Sequence, residues 1–225
     1  YKQLKRKLQM RKQILIILIL LVSISVNAQT SKIKFGVKSG MNLSKYTPEM
    51  YLGNTRIADY QGKLGFYIGG FTNIKISDKF KIQPELLFSN QGTKRVFEDV
   101  SLNDSNLSTI ATGDIEYKIN ESVISLPITL QYFITNKFNF EGGIQLGYII
   151  NRKEEITKNP FEQFLGDNSI NNNVDYDKFD LGFNLGLGYN LLENVRINTR
   201  YFLGLIERDN SIKPTVFSLG IEYEI

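Results

Sequence analysis

The chain of 225 residues contains no cysteine, no histidine and no tryptophan. Without cysteine there is no disulfide framework, so packing and hydrogen bonds have to hold the fold together. Without cysteine and histidine, thiolate and imidazole metal ligands are excluded, and so is a Ser-His-Asp catalytic triad. The composition therefore argues against triad hydrolases and against zinc enzymes of the usual kind.

Long apolar runs are also lacking beyond residue 28. A transmembrane helix needs about 20 consecutive apolar residues. If this part of the chain enters a membrane, it has to do so with β-strands, because a closed barrel also satisfies every backbone hydrogen bond.

The N-terminus has the three parts of a secretory signal peptide. Basic residues come first, the apolar run Ile14–Val22 follows, and Val26-Asn27-Ala28 supplies small residues for cleavage. We predict a signal peptide over residues 1–28 and one mature domain over residues 29–225. Residues 1–9 are interpreted as an over-extended start, since Met10 opens a complete signal sequence by itself.

Removal of this segment changes the charge balance of the protein. Residues 1–28 carry six of the 27 basic residues and no acidic residue, so the mature chain has 27 − 6 = 21 basic residues against 23 acidic ones. Its net charge is then −2, although the whole chain carries +4. No basic surface for nucleic acid is expected.

The most regular alternation of the sequence lies in Lys178–Leu192. Every second residue from Phe179 to Leu191 is large and apolar, and the residues between them are small or polar. A period of two is typical of a β-strand, in which successive side chains point to opposite faces. One face of this strand therefore contacts an apolar phase and the other a polar one.

Seven further segments alternate in the same way, and short and long connections alternate between them. Short turns surround Asp78, Asn136 and Asn194, whereas the other connections are longer. This pattern predicts an all-β fold, an eight-stranded antiparallel up-and-down transmembrane β-barrel of the outer-membrane type. The predicted strands are 33–43, 64–74, 80–91, 122–134, 138–150, 178–192, 195–205 and 215–225, and the predicted long loops are 44–63, 94–121, 151–177 and 206–214.

The alternative is a soluble, lipocalin-like barrel with its apolar face turned inward around a lipophilic ligand. Eight strands enclose little more than a filled interior. In nearly every segment the apolar face is the bulkier one, and the opposite face is rich in glycine and charge. Bulky residues fit better outside so narrow a cylinder, which favours the membrane barrel.

Charged residues recur on the predicted inner face. Ion pairing inside the lumen would satisfy these charges, so we expect a structural charge network rather than a catalytic carboxylate pair. The oxygen-rich loop Asp167–Asp177 lacks the glycine and closing glutamate of an EF-hand. No catalytic, cofactor or metal site is therefore expected. The lumen residues are Lys38, Glu85, Glu141, Arg196, Arg200, Glu222 and Glu224.

Several local motifs resemble the PorT-like family of outer-membrane β-barrel domain proteins from Gram-negative bacteria. They are Gly36–Ser44 (GVKSGMNLS), Gln83–Ser89 (QPELLFS), Leu126–Tyr132 (LPITLQY) and Gly182–Tyr189 (GFNLGLGY). The resemblance implies the same barrel fold in the cell outer membrane. One named member of that family belongs to a protein-secretion and gliding apparatus.

Three classes of function remain open from the sequence. The first is a non-enzymatic barrel with a structural, binding or assembly role in the cell envelope, and the second is a small pore. A hydrolase is disfavoured because a general-base histidine is lacking. The expected partners are outer-membrane lipid, the barrel-assembly machinery, whose C-terminal signal the last strand resembles, and an envelope protein bound through extracellular loops. No cofactor and no nucleic acid are expected.

Overall fold

The computed structural model describes residues 32–103, 108–162, 176–208 and 212–225. The predicted signal peptide lies outside these ranges. Within them, no helix is long and apolar enough to cross a membrane. The strands are β1 (Ile33–Thr47), β2 (Met50–Leu52), β3 (Thr55–Lys75), β4 (Phe80–Asn103), β5 (Thr109–Phe133), β6 (Phe138–Lys158), β7 (Phe179–Asn190), β8 (Val195–Gly204) and β9 (Lys213–Glu224).

Eight of these strands form a closed antiparallel ring. Each strand from β3 to β8 pairs with the next one along the chain, and β1 closes the ring by pairing with both β9 and β3. The closing ladder runs from Ile33↔Ile74 to Ser44↔Lys63. The short strand β2 pairs only with the first residues of β3. The predicted eight-stranded up-and-down barrel is thereby confirmed.

The apolar face of every ring strand points outward. In β7, Phe183 and Leu185 are 51% and 63% exposed, whereas Asp180 and Asn184 on the other face are each 1% exposed. This is the inverse of a water-soluble protein, in which charged residues are rarely buried. The outer surface is suited to lipid and the interior is polar, so a soluble barrel with an apolar interior is excluded.

Aromatic side chains gather at the end of the barrel that carries the short turns. The rings of Phe80 and Tyr132 lie 5.1 Å apart, and those of Phe138 and Phe140 lie 5.4 Å apart. Tyr189 pairs with Phe138 across the β6–β7 ladder. Aromatic residues favour the boundary between lipid tails and water, so these residues mark the periplasmic boundary of the apolar band.

The prediction of long loops is wrong for much of their length. Residues 94–121, predicted as one loop, continue the β4–β5 hairpin to Asn103↔Thr109, and β6 extends to Lys158 where a loop was predicted over 151–177. The predicted loop 44–63 contains β2 and the start of β3. Outside the membrane neither face has to be uniformly apolar, so the alternation disappears although the backbone ladder persists.

Two inward-facing glycines make room for one aromatic ring. Gly40 of β1 and Gly220 of β9 are paired, and a Cβ atom on either residue would overlap the side chain of Tyr67. Gly70 faces outward, where an added Cβ would meet only the carbonyl oxygen of Gly36, at 3.6 Å. The same residue type therefore has different steric freedom on the two faces.

We predict that Gly220→Leu destabilises the barrel by about 1–3 kcal/mol, because the new side chain overpacks the interior against Tyr67. Gly70→Leu is the matched control and should leave stability nearly unchanged. The measurement is urea unfolding in lipid vesicles, with the gel mobility of unheated samples as the test of closure. Equal destabilisation by the two variants would contradict this packing.

Candidate functional site

Six of the seven predicted lumen residues meet in one buried cluster, which we call the lumen network. Its charged members come from β1, β4, β6, β8 and β9, and each is at most 6% exposed. Three are cations and three are carboxylates, so their formal charges cancel. The members are Lys38, Glu85, Glu141, Arg196, Arg200 and Glu222.

Arg200 connects two strands that are not neighbours of its own. Its Nη1 and Nη2 donate to the two carboxylate oxygens of Glu85 at 2.9 and 2.7 Å, and its Nε donates to Glu141 at 2.7 Å. The Nζ of Lys38 lies 3.1 Å from Glu85 and 2.8 Å from Glu222. These contacts cross the lumen, so they tie opposite walls of the barrel together.

Two glutamines complete the lumen network. Arg196 pairs with Glu222 and donates to the side-chain oxygens of Gln131 at 2.9 Å and Gln83 at 2.6 Å. Both glutamines are fully buried, and Gln83 also donates to Glu85 at 2.9 Å. The alternation predicts that both glutamines point inward. Because their side chains are uncharged, the sequence did not indicate that they bind the charged residues of the lumen network.

Glu224 was expected in the same network and lies elsewhere. It points inward near the end of β9, at the mouth of the barrel, where its side chain is 14% exposed. It accepts hydrogen bonds from Lys34 at 2.7 Å and from Asn73 at 2.8 Å. Alternation fixed the face of this residue correctly but did not fix its depth along the barrel axis.

A second buried cluster, which was not predicted from the sequence, lies toward the extracellular end of the barrel. Arg208 donates to Asp180 at 2.8 Å and lies 3.3 Å from Glu121, which accepts a hydrogen bond from the hydroxyl of Tyr46 at 2.6 Å. Arg152 contacts Glu121 at 3.9 Å. Glu154 accepts from Arg152 at 2.8 Å and from Arg95 at 3.4 Å. We call this set the rim cluster. Six of its seven members lie in segments that were predicted as loops, and only Asp180 lies in a predicted strand; the six are Tyr46, Arg95, Glu121, Arg152, Glu154 and Arg208.

The electrostatics of the rim cluster favour a structural role. Burial raises the pKa of the Tyr46 hydroxyl, and the charge of Glu121 raises it further, so Tyr46 stays protonated. Burial lowers the pKa of Arg208, but the carboxylates of Glu121 and Asp180 outweigh this effect and the net direction is upward. The arginine stays positively charged and the tyrosine stays neutral. Both side chains therefore keep their protons, and neither is in the form that a general base needs.

A small polar cavity lies in the lumen beside Lys38 and Arg200. Asn42, Asn184 and Asn198 line it together with several serines and glutamines. The volume open to the centres of water molecules is about 40 Å³, which accommodates a few ordered waters. At the depth of Lys38 and Arg200 the lumen is therefore filled with side chains and leaves room for only a few waters.

Few of the described residues are arranged for catalysis or for metal binding. They contain no group of three or more acidic, histidine or cysteine side chains placed to hold a metal ion. The three network carboxylates are all engaged by cations, so none is an unpaired acid or base. Most of the oxygen-rich loop Asp167–Asp177 lies outside the described residues.

A family model described as "Outer membrane protein beta-barrel domain" matches residues 27–209. The chain belongs to this family. The protein is thus an outer-membrane β-barrel, located in the outer membrane in contact with its lipid, as the fold and the outward apolar face require. No curated protein matches the sequence.

Three solved structures are similar to this outer-membrane barrel at low sequence identity. Ail of Yersinia pestis, solved in complex with the heparin analogue sucrose octasulfate, is 17% identical with a TM-score of 0.47, covering 86% of this chain and 99% of Ail. Neisserial surface protein A is 14% identical with a TM-score of 0.42, covering 85% and 97%. The outer membrane protease OmpT of Escherichia coli is 9% identical with a TM-score of 0.39, covering 88% and 98%.

We predict that Arg200→Met destabilises the barrel by about 3–5 kcal/mol, since it leaves the buried carboxylates of Glu85 and Glu141 without their main cation. Lys34→Met is the control. It also breaks an ion pair, the one with Glu224, but the cation that it removes has a side chain that is 57% exposed. Exposed pairs contribute only about 0–1 kcal/mol. Denaturant unfolding in lipid vesicles measures both, and equal losses would show that the lumen network does not hold the walls together.

Proposed function

We propose that this outer-membrane barrel is a non-enzymatic envelope protein, which holds an extracellular β-sheet in place for binding a partner protein or for assembly with it. The observation that carries the proposal is the unequal length of the strands. The hairpin of β4 and β5 continues to Asn103↔Thr109, whereas β8 ends at Gly204 and β7 begins at Phe179. One side of the barrel therefore projects beyond the other.

The lumen network supports a structural role over the alternative of a pore. Arg196, Gln83 and Gln131 form a continuous hydrogen-bonded chain across the barrel. Passage of a solute would require this chain and the Arg200 contacts to break together. Breaking a buried ion pair by removing one partner costs about 3–5 kcal/mol, so a closed lumen is the stable state.

The same network supports the assignment as a non-enzyme. Glu85, Glu141 and Glu222 are each held by arginine or lysine inside the barrel. A general acid or base needs access to substrate and a pKa near the working pH. These three carboxylates are buried and bound to cations, so a substrate has no access to them.

The projecting sheet has the surface of a solvated binding element. Its exposed face carries cross-strand ion pairs: Arg56 with Glu98 at 2.7 Å, Lys94 with Glu116 at 2.5 Å and Lys158 with Asp114 at 3.1 Å. A charged surface of this kind is stable in contact with water. It suits a polar protein partner in the envelope or outside the cell, because protein interfaces have polar rims.

We also propose that the chain belongs to the PorT-like group of outer-membrane barrels. The motifs in β1, β4, β5 and β7 support membership of the PorT-like group. A signal peptide over residues 1–28 would deliver the chain to the envelope. The last strand, which alternates up to Tyr223 and Ile225, would be read by the barrel-assembly machinery.

The proposal is tested by removing the projecting hairpin and keeping the barrel. Residues 98–114 are replaced by Asn-Gly, a two-residue turn that closes antiparallel strands and would join the paired residues Phe97 and Ile115. We expect the variant to reach the outer membrane and fold. After cross-linking on intact cells, the full protein should migrate in a complex and the variant as a monomer.

Asp114→Asn is the control for this experiment, because it breaks one exposed ion pair and leaves the hairpin in place. It should retain the complex. A complex that survives loss of the hairpin would contradict binding through the sheet. Discrete conductance steps of the full protein in planar bilayers would support the pore in its place.

A further inference from the structure

A groove runs over the lipid-facing wall of strands β6 to β9. We call it the wall groove; its volume is about 420 Å³, and its lining includes Phe140, Leu185, Leu187, Thr199, Tyr201 and Phe217. The five larger side chains among these are 41–63% exposed. By the same measure the cavity inside the lumen is only about 40 Å³, so this wall is more open to an occupant than the interior is.

The groove exists because one outward position carries a short side chain. In the β-ladders, Leu187 faces Phe140 on one side and Thr199 on the other, and Thr199 in turn faces Leu219. Thr199 is half-buried between these larger neighbours. The depression at Thr199 is bordered by leucine and aromatic side chains, among them Leu187 and Tyr201.

We infer that the wall groove holds one acyl chain of a phospholipid from the periplasmic leaflet. The groove is continuous with the apolar band that contacts membrane lipid. The two charged residues of its lining, Glu141 and Arg200, are buried and pair with each other inside the lumen. An unfilled depression loses dispersion contacts on both surfaces. A flexible hydrocarbon chain can fill an irregular groove, whereas a rigid protein surface would need a matching ridge.

The position of the groove along the barrel axis indicates which leaflet of the membrane supplies the lipid. Phe140 is the third residue of β6, which begins directly after the short turn around Asn136. Leu187 lies three residues before the end of β7 at the same side of the barrel. The short turns of outer-membrane barrels face the periplasm. The depression therefore begins in the periplasmic half of the membrane, whose lipids are phospholipids.

The test compares two outward threonines in the full-length protein. Thr199→Phe fills the groove, whereas Thr72→Phe adds the same ring on β3, where Thr72 is also half-buried and faces outward. Each protein is purified from outer membranes in mild detergent, and bound phospholipid is counted by native mass spectrometry. We expect one retained phospholipid in the wild type and in Thr72→Phe, and about tenfold less in Thr199→Phe, the loss of roughly two buried methylene groups.

Equal phospholipid retention by all three proteins would overturn the inference, and so would a wild type without bound phospholipid. A dimer that is lost only in Thr199→Phe would overturn it too, because a second copy of the chain would then be the occupant. Gel mobility of unheated samples verifies that both variants are closed barrels. The outcome does not depend on the proposed partner-binding role, because the hairpin is intact in every protein compared.

Discussion

Closure of β1 onto β3 is the contact on which the other features depend. Inside the hydrocarbon layer an unpaired backbone N–H or C=O costs several kcal/mol, so a sheet can span the membrane only without edges. The Ile33↔Ile74 to Ser44↔Lys63 ladder removes the last two edges. Once the ring is closed, one face of each strand has to meet lipid and the other has to fill a narrow interior.

The narrow interior determines the chemistry of the lumen. A polar face that is shut away from bulk water has to satisfy its own charges, and a partly satisfied network would be worse than an apolar core. The lumen network balances three cations against three carboxylates, and the amides of Gln83 and Gln131 add hydrogen bonds to it. The contacts of Arg200 with Glu85 and Glu141 reach across the barrel. The network therefore favours one arrangement of the walls, and it also closes the path for solutes.

Most of the fold could be predicted from the sequence, because membrane and lumen impose opposite demands on alternate residues. The alternation Phe179–Leu191 is the clearest example, and six lumen residues followed from the same parity. Parity gives the face of a residue but not its depth, which is why Glu224 was placed too far inside. Outside the membrane this constraint ends. The rim cluster and the extended β4–β5 hairpin lacked the alternating pattern and could not be predicted from it.

The most direct test of the account uses the absence of cysteine from the chain, which makes single-cysteine labelling unambiguous. Lys118 is an exposed residue of the projecting part of β5, and Lys137 is exposed in a short turn at the opposite end. A membrane-impermeant maleimide applied to intact cells should label Lys118→Cys and leave Lys137→Cys unlabelled until the outer membrane is opened. Labelling of Lys137→Cys on intact cells, or no protection at either site, would contradict the orientation and the membrane barrel itself.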